Sequence, residues 1–156
     1  MTERPQPIAL HASCVLVGES GILLRGPAGS GKSSLARRVV ETAQRQGLFA
    51  RLVGDDRILV SLASGRLLAG PHPALAGAIE VRGVGILAVA NVSGAVIRLV
   101  VDCDVESERF PSENQRVTQI CGVTLPRLVA GAEEADKVLL MLTAVHSALE
   151  TEPPTP

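Results

Sequence analysis

Gly26-Pro27-Ala28-Gly29-Ser30-Gly31-Lys32-Ser33 matches the pattern G-x-x-x-x-G-K-[ST] at every position. Before it, Gly21–Arg25 reads as a short buried strand. After it, the run from Ser33 to Gln44 reads as a helix. Strand, loop and helix in that order are the context the motif needs. Gly26, Gly29 and Gly31 let the backbone curl so that successive N–H groups point at one anion. The helix that begins near Lys32 adds the positive end of its dipole. Lys32 is placed to reach the β- and γ-phosphates of a nucleotide, and Ser33 to offer a hydroxyl to Mg²⁺. The segment Gly26, Pro27, Ala28, Gly29, Ser30, Gly31, Lys32, Ser33 and Ser34 is therefore the expected nucleotide-binding element.

Composition bounds the rest. With 156 residues, one domain with a real core is expected. Hydrophobic residues make up 46% and aromatics 1%, so the core must be built from Val, Leu, Ile and Ala. A formal net charge of −1 gives no general attraction to nucleic acid or to an anionic membrane. No basic tract is interleaved with aromatics, which argues against stacking on single strands. Mean hydropathy is +0.30. The most apolar stretch, Val84 to Val101, is broken by Asn91, Ser93, Gly94 and Arg98, so it reads as a pair of buried strands and not as a membrane span. The N-terminus lacks the plan of a secretory signal. Cys14, Cys103 and Cys121 show no C-x-x-C spacing and sit in apolar stretches, which predicts buried free thiols. A cytoplasmic protein is expected.

Along the chain, residues 1–10 read as a mobile lead, 11–149 as a single domain and 150–156 as a disordered tail. Cys14–Val17 and Ile22–Leu24 form a hairpin that feeds the loop. The helix after the loop should stop at Gly47. Ala50–Val53 is a strand ending in Gly54-Asp55-Asp56. Ile58–Leu62 and Arg66–Leu68 make a second hairpin across Ala63-Ser64-Gly65. Further strands are expected at Ala78–Val81, Ile86–Val89, Ala95–Val101 and Ile120–Leu125. Val138, Leu139, Leu142, Val145 and Leu149 recur at helical spacing, giving a C-terminal amphipathic helix. Strands outnumber helices, which is unusual for a doubly wound nucleotide-binding fold.

A phosphate loop works with an acid at the end of a nearby strand. Asp55 and Asp56 fit that place. Adjacent residues at a strand end point to different sides, so one carboxylate can face a metal and the other a nucleophile. Glu80 lies between Ile79 and Val81 and should face away from both, on the side of Arg82. Taken alone, Glu80 and Arg82 read as an ion pair, Arg109 as a solvated loop charge and His11 as a surface histidine. His72 and His146 have no obvious partner and read as structural.

Together these segments resemble the catalytic domain of bacterial HPr kinase/phosphorylase. The matching pieces are His11-Ala12-Ser13, the loop Gly26–Ser33, Gly54-Asp55-Asp56-Arg57 and Ile79-Glu80-Val81-Arg82-Gly83-Val84-Gly85-Ile86. Glu108-Arg109 stands where the family has an acid and a catalytic arginine, and Gly122–Pro126 resembles a later family segment. The Glu80, Arg82, Gly83 and Gly85 signature and the His-Ala-Ser start are more specific than the loop itself.

The resemblance implies a strand-rich α/β phosphate-loop domain with a core like that of phosphoenolpyruvate carboxykinase. It implies a kinase that uses ATP and Mg²⁺ to phosphorylate a seryl hydroxyl of HPr, a phosphocarrier protein of the sugar phosphotransferase system. Many family members also remove that phosphate with inorganic phosphate, giving pyrophosphate. Residue by residue, it implies that Lys32 and the loop hold the phosphates and that Ser33 and Glu80 bind Mg²⁺. One of Asp55 and Asp56, by analogy Asp56, would accept the seryl proton. His11 would lie near the transferred phosphate, and Arg109 would stabilise charge on it. Family members assemble as hexamers, which makes a homo-oligomer the state to test.

Two departures stand out. Full-length relatives carry an N-terminal domain before the His-Ala-Ser segment, which begins here at residue 11. The family's Pro-Val-Arg-Pro-Gly-Arg-like stretch, tied to dephosphorylation, is replaced after Pro126 by Arg127-Leu128-Val129-Ala130-Gly131-Ala132-Glu133-Glu134. Kinase activity with weak or lost phosphorolysis is the expectation. The rival readings are a small-molecule phosphate-loop kinase, which would need more helix and an arginine-rich lid, and a nucleotide sensor without transfer activity. Retention of Asp55, Asp56, Glu80 and Arg109 argues against a sensor, because binding alone needs no base.

Overall fold

The computed structural model describes residues 6–81, 83–103, 105–106 and 108–151, with the side chains of 149–151 excepted. Within these the elements run β1 (Ile8–Leu10), β2 (Ala12–Val17), β3 (Ser20–Arg25), α1 (Lys32–Arg45), β4 (Ala50–Gly54), β5 (Ile58–Ala63), β6 (Arg66–Pro71), β7 (Ala78–Val81), β8 (Gly85–Ala88), β9 (Ala95–Asp102), β10 (Val117–Ile120), β11 (Val123–Val129) and α2 (Ala135–Thr151). Single 3₁₀ turns occur at Pro73–Leu75 and Glu113–Arg116. The strand-rich reading holds.

One sheet of nine strands dominates, with the order β1-β5-β6-β9-β3-β2-β4 and the β10–β11 hairpin attached through β11 to β9. β9 is the hub. It runs parallel to β3 and β11 and antiparallel to β6. Alternation along β3 explains why two cores form: Ile22 and Leu24 face α1 and α2, whereas Leu23 faces the layer built from β5, β6, β10 and β11. All three side chains are fully buried. Covered on both faces, β3 reads as a continuous apolar run. Its C-terminal end, and with it the phosphate loop, is held from both sides.

The helices follow their apolar faces. Leu35, Ala36, Val39 and Ala43 of α1 are buried, as are Val138, Leu139, Leu142 and Val145 of α2. Gly47 follows α1 as expected, and its N–H donates to the Gln44 carbonyl (3.0 Å).

Several expectations change. Ile8–Leu10 is not part of a mobile lead: it pairs antiparallel with Ile58–Val60. Helix α2 runs through Glu150 and Thr151, beyond the boundary expected for a tail. Residues 1–5 and 152–156 lie outside the described residues, as does Arg82. Ile120–Leu125 is not one strand but the turn of a hairpin, with Cys121 and Gly122 both at positive φ (51° and 78°). That is the two-residue turn whose twist suits a hairpin. It leaves Cys121 exposed, whereas Cys14 and Cys103 are buried as expected. Burial pushes the Cys14 thiol far above its ordinary range, so it stays protonated.

The stretch Val84–Val101 holds one buried strand, not two. β9 is buried, but β8 pairs only with β7 in a separate two-stranded sheet. Val84 and Ile86 there are 66% and 75% exposed. No packed layer covers β8, so its apolar residues reflect something other than core. His146 also has a partner after all: its Nε2 lies 2.9 Å from Ser20 Oγ. His72 Nδ1 accepts from the Ala74 N–H.

Candidate functional site

The site forms around one carboxylate, where β3, β4 and β7 end and β2 begins. Asp55 follows β4 directly and is 5% exposed. Its Oδ1 accepts from Ser13 Oγ and from Ser33 Oγ, both at 2.7 Å. Its Oδ2 accepts from the Glu80 N–H at 3.2 Å. Three donors from three segments satisfy a buried charge that would otherwise be costly to desolvate. Ser13, fully buried on β2, also accepts from the Asp56 N–H (3.2 Å). The His-Ala-Ser segment by itself assigns Ser13 no role. Its buried hydroxyl on an otherwise apolar strand was the available signal.

Asp56 is the counterpart. It adopts φ 64°, and the Arg57 N–H reaches back to the Asp55 carbonyl at 2.7 Å. This three-residue turn throws the two side chains apart. Asp56 is exposed and its Oδ1 lies 2.5 Å from His11 Nε2. Left-handed backbone at a residue other than glycine costs energy and collects at functional sites, although Asp tolerates it better than most. The expectation that the two carboxylates face different ways is met, with Asp55 inward and Asp56 outward.

The phosphate loop runs from the end of β3 into α1. Gly26 takes φ 153° and Gly31 φ 97°. A Cβ at Gly26 would sit 2.5 Å from Ser30 Oγ, and one at Gly31 would sit 2.9 Å from the Ala132 Cβ. Neither position accepts a side chain. Lys32 is 5% exposed and its Nζ donates to the carbonyls of Gly26 (2.8 Å) and Pro27 (3.2 Å). The lysine thus folds over its own loop. Pro27, Ala28, Gly29 and Ser34 are exposed along the loop and the first turn of α1. Among the described residues, Ser30 Oγ is the one buried side-chain oxygen or nitrogen with no hydrogen-bond partner.

Glu80 enters the site through its backbone, while its side chain is exposed at the β7 edge. Gly83 and Gly85 lie at the turn between β7 and β8. Arg109 stands apart, on the loop after β9, with its guanidinium 5.5 Å from the Phe110 ring centroid. Among the described residues no three His, Cys, Asp or Glu side chains gather as a metal cage.

A second polar group was missed by the sequence reading. Asp102, at the end of β9, accepts from Arg25 Nε (2.7 Å), Arg25 Nη2 (2.9 Å) and Arg127 Nε (2.5 Å). Burial by itself would raise the Asp102 pKa, but the two guanidinium groups outweigh it and hold the carboxyl below its ordinary value. Charged residues at or near the ends of three apolar runs are the only sequence signal. Pairing them required the parallel register of β3, β9 and β11.

Fold and site define a strand-rich α/β domain of the phosphate-loop type. The chain belongs to the family described as the HPr Serine kinase C-terminal domain, whose family model matches residues 4–150. It is 36% identical over 104 residues to an HPr kinase/phosphorylase of Caldicellulosiruptor bescii, covering 66% of this chain and 30% of the relative. It is 28% identical over 149 residues to one from Streptococcus thermophilus, covering 87% and 46%. The chain therefore spans less than half the length of these curated relatives. The solved structure of the Hpr(Ser) kinase/phosphatase from Coxiella burnetii matches with a TM-score of 0.71 at 22% identity, over 93% of this chain and 99% of that one. That likeness establishes the shared fold. Among the described residues no helix is long and apolar enough to cross a membrane.

Proposed function

We propose that this domain is an ATP-dependent protein-serine kinase acting on an HPr-type phosphocarrier. The observation that carries the reading is the division of labour between two adjacent carboxylates: Asp55 is bonded to the hydroxyl of the phosphate loop, and Asp56 is exposed beside His11.

The residues suit a magnesium–triphosphate. Ser30 Oγ is a buried donor without a partner inside the loop, and Lys32 and Ser33 flank it. A magnesium ion keeps most of its waters and takes one or two protein oxygens, so a hydroxyl and a carboxylate suffice without a cage. Ser33 Oγ and Asp55 would hold it, the second directly or through water, and Glu80 would add its carboxylate from the edge of β7. Bound there, the ion would neutralise charge on the β- and γ-phosphates.

The rest falls to the protein. Loop N–H groups and Lys32 bind the phosphates and keep the γ-phosphorus in line. Asp56 takes the proton from the seryl hydroxyl as the Oγ–Pγ bond forms and the bridging bond to the β-phosphate breaks, releasing ADP. His11 orients Asp56 from the solvent side. Arg109, on the loop after β9, would supply positive charge to the transferred group. In the segment after Pro126, Arg127 is engaged by Asp102, and Glu134 accepts from the Gly131 N–H. This supports our reading that phosphorolysis is weak or lost.

The test is intact-mass analysis of the HPr-type carrier from the same organism after incubation with the protein, ATP and Mg²⁺. One added phosphate is expected, absent when the acceptor Ser is replaced by Ala. Asp56→Asn, which keeps a side chain tolerant of the left-handed backbone, should slow transfer by about 10²–10⁴. No phosphate on the carrier, with ATP binding intact, would overturn the kinase reading in favour of a sensor. Pyrophosphate released from the phosphorylated carrier and inorganic phosphate would overturn the reading of lost phosphorolysis.

A further inference from the structure

A cavity of about 590 Å³ opens between the loop after β9, the edge of β11 and α2. Its size lies in the range of small-molecule sites. Its apolar walls are Val105, Pro111, Leu128, Val129 and Met141. Its rim carries Glu106, Glu108, Arg109 and Lys137.

Two walls tie it to the phosphate loop. The Cys103 carbonyl lies 3.1 Å from where a Cβ of Gly26 would be, and Val105, two residues on, lines the cavity. Ala132 touches the corresponding position at Gly31, and Val129, three residues back, lines the cavity. Two to three residues of extended chain span at most about 7–11 Å. A nucleoside bridges a gap of that order when its phosphates sit in the loop. The cavity also lies beyond the carboxyl ends of β9 and β11, parallel neighbours in the β3 layer, which is where ligands of open α/β sheets gather.

We propose that this cavity receives the nucleoside of the bound nucleotide, base and ribose, while the loop Gly26–Ser33 holds its phosphates. The proposal rests on the nucleotide-binding reading above. The base lies between the aliphatic walls, which suit a planar heteroaromatic ring. The rim carboxylates of Glu106 and Glu108 are acceptors for ribose hydroxyls. Arg109 lines the same cavity and adds a positive charge to it. Asp102, gripping Arg25 at the foot of the loop and Arg127 on the cavity wall, keeps the two halves of the site in register.

Calorimetric titration of the whole chain with magnesium ATP and with magnesium tripolyphosphate tests this. ATP should bind at least about tenfold more tightly, a difference of 1.4 kcal/mol. Met141→Trp, which fills the cavity, should bring ATP close to tripolyphosphate and leave tripolyphosphate binding unchanged. Unchanged tripolyphosphate binding also shows that the variant is folded. Val105→Glu places a carboxylate on the exposed wall and should act in the same way. If Met141→Trp loses both ligands, Val105→Glu decides. Equal affinity for the two ligands in the parent protein, or full ATP affinity in Val105→Glu, overturns the proposal. Failure of both ligands to bind the parent protein overturns instead the nucleotide reading on which it rests.

Discussion

The β2–β3 and β7–β8 hairpins both reach Asp55, one through the Ser13 hydroxyl and the other through the Glu80 amide. The first lies in the middle of a nine-stranded sheet with cores on both faces. The second is a two-stranded ribbon, attached through Ile79, Val81 and that amide, with β8 exposed along its whole length. An isolated two-stranded ribbon is marginal in water. The difference separates two tasks. Phosphate binding needs donors fixed to within fractions of an ångström, which dense packing on both faces supplies. The open ribbon carries its apolar residues to solvent, where the proposed kinase reading would let a protein substrate reach them.

The largest effect should come from the rigid side. Lys32→Ala should lower phosphoryl transfer about 10³-fold, the scale of losing one positioned electrostatic group. The melting temperature should move little, because among the described residues the Lys32 ammonium bonds only to its own loop. A transfer rate near that of the parent would break the assignment of the loop to chemistry.

The next prediction sets the two hairpins against each other. Leu23→Ala on β3 should cost about 3 kcal/mol in urea unfolding, since Leu23 is fully buried. Asp102→Asn should cost about 2 kcal/mol, less than for a fully buried pair because Arg25 is still 31% exposed. This cost has a pH signature. The folded pKa of Asp102 is depressed, so its stabilisation is complete above the unfolded value and is lost as pH falls through the folded one. The gap between parent and variant should therefore hold at neutral pH and close below about pH 4. A gap that does not vary with pH would mean that the two arginines act through packing alone.

The smallest effect should come from Ile86→Ala on β8, within about 0.5 kcal/mol, the usual range for surface sites. A loss as large as that at Leu23 would show that β8 is covered in solution, and concentration-dependent unfolding would identify a second copy as the cover.

What could be read in advance follows the range of the forces involved. The phosphate loop, its strand and helix, Gly47 as a stop, and the β5–β6 hairpin are set by neighbours in sequence. The fates of Ile86 and Cys121 were misjudged because apolar character does not say which face another layer covers. Ile8–Leu10 was misjudged because a short strand is defined by its partner, Ile58–Val60, which lies 50 residues away in the chain. Asp55 and Asp56 were found as a pair, and their opposite orientation was expected. Their separate partners were not, because Ser13 and His11 arrive from another strand.

That a loop of the phosphate-binding pattern joins a buried strand to a helix is legible from the chain alone, since motif, glycines and periodicity are all local. The chain also carried the family resemblance that the matched domain bears out. Which carboxylate is buried against Ser33, and which is left in solvent beside His11, follows from packing between distant segments. The tertiary structure alone placed Arg25, Asp102 and Arg127 together and opened a cavity next to the loop. Those outcomes depend on β3, β9 and β11 lying side by side in parallel. Register between distant strands is settled by the packing of two cores and not by any one stretch of chain.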